Sequence, residues 1–87
     1  MSLYRPTFVE AIADNISQMS SQDVANMLQE LNLFEVYGSL FEKRNVDGAV
    51  LGVLDDAALP ELGVTSSLDR KTILGWVIRN RNLVRLS

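Results

Sequence analysis

The stretch that decides the fold is VDGAVLGVLDDAALPELGVTSSLDRKTIL, Val46 to Leu74. It reads as a run of helix starts and one clear stop. Asp47-Gly48 makes a turn, and the Asp47 carboxylate can cap the backbone that follows. Ala49 to Leu54 is apolar and short, so it forms little more than one turn. Asp55-Asp56 opens a second short helical turn through Leu62, weakened by Pro60, which lacks an N–H. Gly63 ends it, being free to take positive φ. Ser66 then stands three residues before Asp69, the capping-box spacing, and starts a long final helix. Its predicted apolar face is Leu68, Ile73, Leu74, Val77 and Ile78, with fraying between Asn80 and Leu83.

Upstream, the same grammar gives two medium helices. Ser20 can cap a helix in which Val24, Met27, Leu28 and Leu31 recur at i, i+3, i+4 and i+7. Asn32 is a weak stop. Phe34 to Arg44 follows, with Tyr37, Leu40 and Phe41 on one stripe and Asn45 at the end. Before these, Pro6 suits the first turn of an optional extra helix, Thr7 to Ile16, with Phe8, Ile12 and Ile16 in line. Met1–Arg5 reads as a disordered start. No sustained alternation of β-branched residues signals a strand. The expectation is an all-α bundle of five helices over residues 20–83, an N-terminal extension over 1–19 and a tail over 84–87.

Composition narrows the chemistry. The chain has 87 residues, enough for one small domain, and 47% of them are hydrophobic, too many for a disordered chain. It has no cysteine, hence no disulfide, thiolate metal site or cysteine nucleophile, and no histidine, the commonest general base. No apolar run approaches the ~20 residues that cross a bilayer. These features predict an intracellular, cytoplasmic protein with no cofactor and no membrane insertion. The net charge of −3 conceals an asymmetry. Through Asp69 there are 3 basic and 11 acidic residues, net −8; from Arg70 on there are 5 basic residues and no acid, net +5. The bland reading is a last helix decorated with cations; the sharper one is a bipolar surface suited to head-to-tail association.

Four pieces of this text resemble the sterile alpha motif (SAM) family. Val24…Met27-Leu28…Leu31-Asn32-Leu33…Tyr37…Phe41 is similar to the family's opening pattern of Val, Trp-Leu, Leu-x-Leu, Tyr and Phe. Val46-Asp47-Gly48…Leu51…Leu54 resembles its Ile-Asp-Gly-x-x-Leu-Leu-x-Leu, and Leu59…Leu62-Gly63-Val64 its Leu-x-x-Leu-Gly-Ile. Arg70-Lys71-Thr72-Ile73-Leu74 resembles its Arg-x-Lys-Ile-Leu. The resemblance covers roughly Ser20 to Asn82, and the order of the pieces carries it. It implies a five-helix bundle that binds proteins and catalyses nothing. Departures are Met27 for a Trp, Met19 where an earlier Trp is common, Gly52 for a second Leu (a gap or a groove), Pro60 in the fourth helix, and Leu68-Asp69 for Gly-His.

Other chemistry is poorly supported. Asp55 and Asp56 point about 100° apart on a helix, so they do not converge on one atom and read better as helix-start acids. Asp47-Gly48 lacks the alternating acids of a calcium loop. No phosphate-loop glycine pattern is present. Tyr37 lies on the apolar stripe and reads as a core residue before a phosphorylation site.

Arg70 and Lys71 sit in the first turn of the last helix, where a cation is disfavoured by roughly 0.3–1 kcal/mol. The resemblance implies an end-helix surface here, Ser67, Leu68, Arg70 and Lys71, docking on a mid-loop surface of the next molecule. The residues of the second surface would be Glu42, Asp47, Leu51, Val53, Asp55, Asp56 and Glu61. Trp76 either covers the core edge, against Phe8, Ile12 and Ile16, or is an additional anchor. The expected partner is another SAM domain, a second copy or a heterologous one, or another protein, with a homo-oligomer as one outcome. The competing function is RNA-hairpin binding by Arg70, Lys71, Arg79, Arg81 and Arg85, which the acidic body and a pI of about 4.7 oppose.

Overall fold

The computed structural model describes residues 12–81 and 83–85, with side chains described for 15–81. A short strand, β1 (Ile12–Asp14), leads into a 3-10 turn at Ile16–Gln18. Among the described residues five helices follow: α1 (Ser21–Glu30), α2 (Phe34–Lys43), α3 (Gly48–Leu51), α4 (Leu59–Leu62) and α5 (Ser67–Asn80). Strand β2 (Leu83–Arg85) then pairs antiparallel with β1, Ile12 opposite Arg85 and Asp14 opposite Leu83. No helix among the described residues is long and apolar enough to cross a membrane.

Side-chain caps explain where α1, α3 and α5 begin. Ser20 Oγ accepts the Asp23 N–H at 3.1 Å while Asp23 Oδ2 accepts the Ser20 N–H at 3.0 Å, a full capping box on α1. Asp47 Oδ1 accepts the Val50 N–H at 3.1 Å and starts α3. Ser66 Oγ accepts the Asp69 N–H at 3.3 Å and starts α5. Each such cap stabilises its helix by about 1 kcal/mol.

One device repeated three times explains where helices end. Asn32, Asn45 and Gly63, at φ 61°, 56° and 126°, take the left-handed conformation just past α1, α2 and α4. The residue after each donates its N–H back into the last turn: Leu33 to Leu28 O at 2.8 Å, Val46 to Phe41 O at 2.9 Å, Val64 to Leu59 O at 2.9 Å. These are Schellman stops, in which the returning residue is apolar and packs near the residue it bonds. Val46 and Val64 are buried, as are Leu28, Phe41 and Leu59. The helix stops therefore also supply core residues.

The core gathers Ile16, Val24, Leu28, Leu51, Leu59, Val64 and Ile73 with Met27, Tyr37, Phe41, Val46 and Val77. The α1 and α2 stripes read from the sequence lie in or against this cluster. The α5 face does not hold as predicted. Ile73 and Val77 are buried and Leu74 packs against them, but Leu68 and Ile78 are 72% and 75% exposed. The one-face reading joined two stripes of α5 that diverge around the helix.

The N-terminal segment is not the helix expected over Thr7–Ile16. Ile12–Asp14 is strand, and only Ile16–Gln18 turns helically; Thr7 to Ala11 lies outside the described residues. The pairing partner of Ile12–Asp14 lies at the far end of the sequence, so no local turn announces it. Ile16 is fully buried, so the packed unit starts before the Ser20 boundary drawn from sequence.

This segment explains Gly48. Gly48 N–H donates to Met19 O at 2.8 Å, and a Cβ at Gly48 would overlap the Ile16 carbonyl oxygen and lie 2.6 Å from Met19 N. Glycine is required for close approach of two backbones. The neighbouring Gly52 does leave a gap, and the Arg81 side chain fills it: its Nη2 donates to Gly52 O at 3.0 Å. Asn15 Nδ2 donates to Asn80 O at 2.8 Å beside it.

Gly48→Ala should destabilise the fold by about 1–3 kcal/mol, since backbone must move to admit the methyl group. Thermal denaturation should show a midpoint lower by roughly 5–20 °C; an unchanged midpoint would contradict the close approach.

Candidate interaction surfaces

The residues expected to form a basic surface at the start of α5 divide. Ser67, Leu68 and Lys71 are exposed. Arg70 is not a free cation. Its Nε donates to Asp56 Oδ1 at 3.0 Å, and its Nη1 donates to Thr65 O at 2.8 Å and Val64 O at 3.3 Å. Its side chain is only 15% exposed. Arg70 thus ties the loop after α4 to α5. Asp56 was assigned to the opposite, acidic surface; within one chain the two residues form an ion pair, so they do not belong to separate faces.

The acidic surface divides as well. Leu51, expected there as an apolar contact, is 1% exposed and sits in the core. Its neighbour Val50 is 37% exposed and Val53 79% exposed, so these two are the exposed large apolar side chains of that stretch. A helix this short gives too few turns for periodicity to decide which residue faces in. Asp47 and Asp55 each spend one oxygen on backbone, Asp47 on Val50 N–H and Asp55 on Ala58 N–H at 2.8 Å. Their charge remains, and both approach solvent with exposed Glu61 on α4. Glu42, on α2, instead lines a groove between α1 and α2. That groove has a volume of about 380 Å³, a floor of Val24, Leu28 and Phe41, and the Phe34 ring at its side. The Phe34 ring lies over Gly38, where a Cβ would meet it at 2.7 Å. Sequence reading missed this groove; a small residue one turn after an aromatic was its only signal.

Trp76 is half-buried and packs against the core cluster, as the covering role requires. Its expected neighbours Phe8 and Ile12 have side chains outside the described residues. Tyr37 is buried and donates its hydroxyl to Asp69 Oδ2, which links α2 to α5. Burial, with the Asp69 hydrogen bond and charge adding to it, pushes the Tyr37 phenol up to about 12. The Asp69 that departs from the family pattern therefore has a partner inside the fold. Among the described residues no group of three or more acidic, histidine or cysteine side chains could hold a metal ion.

The family model of the SAM domain (sterile alpha motif) matches residues 17–77. The chain is a SAM domain. No curated protein and no solved structure gave a significant match. The match begins next to Ile16 and ends at Val77, the last buried residue of α5, so it spans the packed helices. SAM domains are generally protein-interaction modules and typically non-catalytic.

The Tyr37–Asp69 link gives this SAM domain an alkaline limit. The folded-state value lies above the unfolded value of 10.0, so the native state holds the proton more tightly. The stabilisation is complete below pH 10 and is lost as pH rises through about 12. Denaturant midpoints of the wild type should fall across that window, and Tyr37→Phe should remove this part of the fall. Ultraviolet difference titration of the two proteins should place the Tyr37 phenolate signal near pH 12; a signal near 10 would contradict the buried bond.

Proposed function

We propose that this SAM domain associates with another protein, in the first instance a second copy of itself, by joining the start of α5 to the α3–α4 region of the next molecule. The observation that supports this reading is the pairing of exposed apolar side chains with opposite charge in two places. Leu68 stands one turn before Lys71 at the start of α5, and Val50 and Val53 lie in the segment that carries Asp47 and Asp55, with exposed Glu61 on α4. Apolar contact supplies affinity in such an arrangement. The charges set orientation and on-rate, because exposed ion pairs add only about 0–1 kcal/mol each.

The two patches differ, so their contact is heterologous: each molecule keeps one patch open after the other is used, and a chain of molecules can grow. A different SAM domain with a complementary patch would dock in the same way. RNA-hairpin binding is the less supported reading. Arg70 is committed to Asp56 and two carbonyls, and Arg81 to Gly52, which occupies two of the five cations on which that reading relied.

Sedimentation velocity at low salt and rising concentration tests the proposal. Lys71→Glu and Val53→Lys should each weaken self-association at least about tenfold, equivalent to ~1.4 kcal/mol. Mixed together, the two variants should form a dimer, since each retains the patch that the other lacks. A wild type that stays monomeric at all concentrations would remove the self-association version. Variants that associate as well as the wild type would remove these surfaces.

A further inference from the structure

The Arg70–Asp56 pair lies inside one of the proposed surfaces and has a regulatory consequence for it. Two neutral carbonyls, Val64 O and Thr65 O, hold the Arg70 guanidinium in place. Asp56 contributes the charge: its side chain is 69% exposed and bonds Nε from the solvent side at 3.0 Å. Position and neutralisation of Arg70 thus come from different groups. Around the start of α5 the charges are Arg70 and Lys71 against Asp56 and Asp69, a balance of zero. Asp69 is engaged by the Tyr37 hydroxyl.

We infer that Asp56 is an internal competitor, which occupies Arg70 and restrains docking at the start of α5, and is not a contact of the acidic surface. The inference rests on the association proposed above. A partner carboxylate approaching Leu68 and Lys71 meets a local field that Asp56 has cancelled. Without Asp56 the carbonyls still fix Arg70, and the start of α5 carries a net positive charge on a pre-positioned, planar donor suited to carboxylates. The sign of the effect separates this role from the one assigned by sequence. If Asp56 were an acidic contact, its neutralisation would weaken association; as a competitor of Arg70, its neutralisation strengthens it.

The experiment compares wild type, Asp56→Asn and Asp56→Ala with the same changes in an Arg70→Gln background, by sedimentation at low and high salt. Thermal melts establish that each variant is folded; Asp56→Ala serves if Asn still bonds Arg70. An exposed ion pair shifts an equilibrium by up to about fivefold, so the dissociation constant should fall roughly two- to fivefold. The gain should shrink at high salt and vanish in the Arg70→Gln background. An unchanged or raised constant in folded Asp56 variants overturns the inference alone, as does a gain that persists without Arg70. Absence of association in every variant, the wild type included, overturns the proposed self-association and this inference with it.

Discussion

Three left-handed residues govern the shape of this domain. Asn32, Asn45 and Gly63 each let a helix end while the next residue turns back over the last turn. Because Leu33, Val46 and Val64 are apolar, each reversal is anchored in the core as well as in hydrogen bonds. A chain of this size buries only roughly 60–65% of its unfolded surface, so residues that both turn the chain and fill the interior matter more than they would in a larger protein. Asparagine tolerates the left-handed region at modest cost, and glycine at none.

Charged groups in this domain serve the fold before they can serve a partner. Asp23, Asp47 and Asp55 bond backbone N–H groups at the starts of helical segments. Asp69 receives the Tyr37 hydroxyl, and Arg70 collects the carbonyls that precede α5. What remains for recognition is the charge left over after these bonds and the exposed apolar residues between them. The charge split read along the sequence is not a clean separation in space, because Arg70 of the basic segment faces Asp56 of the acidic one.

Much of the fold was legible in the text. The caps at Ser20, Asp47 and Ser66 and the stops at Asn32, Asn45 and Gly63 are local signals, and local signals survive into structure. What failed was non-local or too short to carry a period. The pairing of Ile12–Asp14 with Leu83–Arg85 joins distant segments, so a stripe of Phe8, Ile12 and Ile16 was read as a helix. In α3 a single turn left Leu51 and Val50 indistinguishable by spacing, and the wrong one was placed outside. On α5 the apolar face drawn from spacing includes Leu68 and Ile78, which the structure exposes; Leu68 is also the apolar residue expected on the end-helix surface, and exposure agrees with that reading alone. The Arg70–Asp56 contact spans a loop whose course no composition rule specifies. Gly48 reads as part of a turn, yet it is the first residue of α3, and the reason glycine is needed there, contact with the Ile16–Met19 backbone, depends on a segment that the sequence reading sets outside the domain.

The ribbon formed by β1 and β2 has a mechanical meaning. Ile12 lies opposite Arg85 and Asp14 opposite Leu83, so the outer rung is the one nearest both chain exits. Tension applied through the flanking chain would load these rungs one after another, as a zipper opens, and not all at once in shear. The ribbon would part at low force while the helices behind it, held by Asn15 on Asn80 and Arg81 on Gly52, stayed packed. Both exits also leave from one place, so a pull along the chain need not be transmitted through the start of α5 or the α3–α4 region.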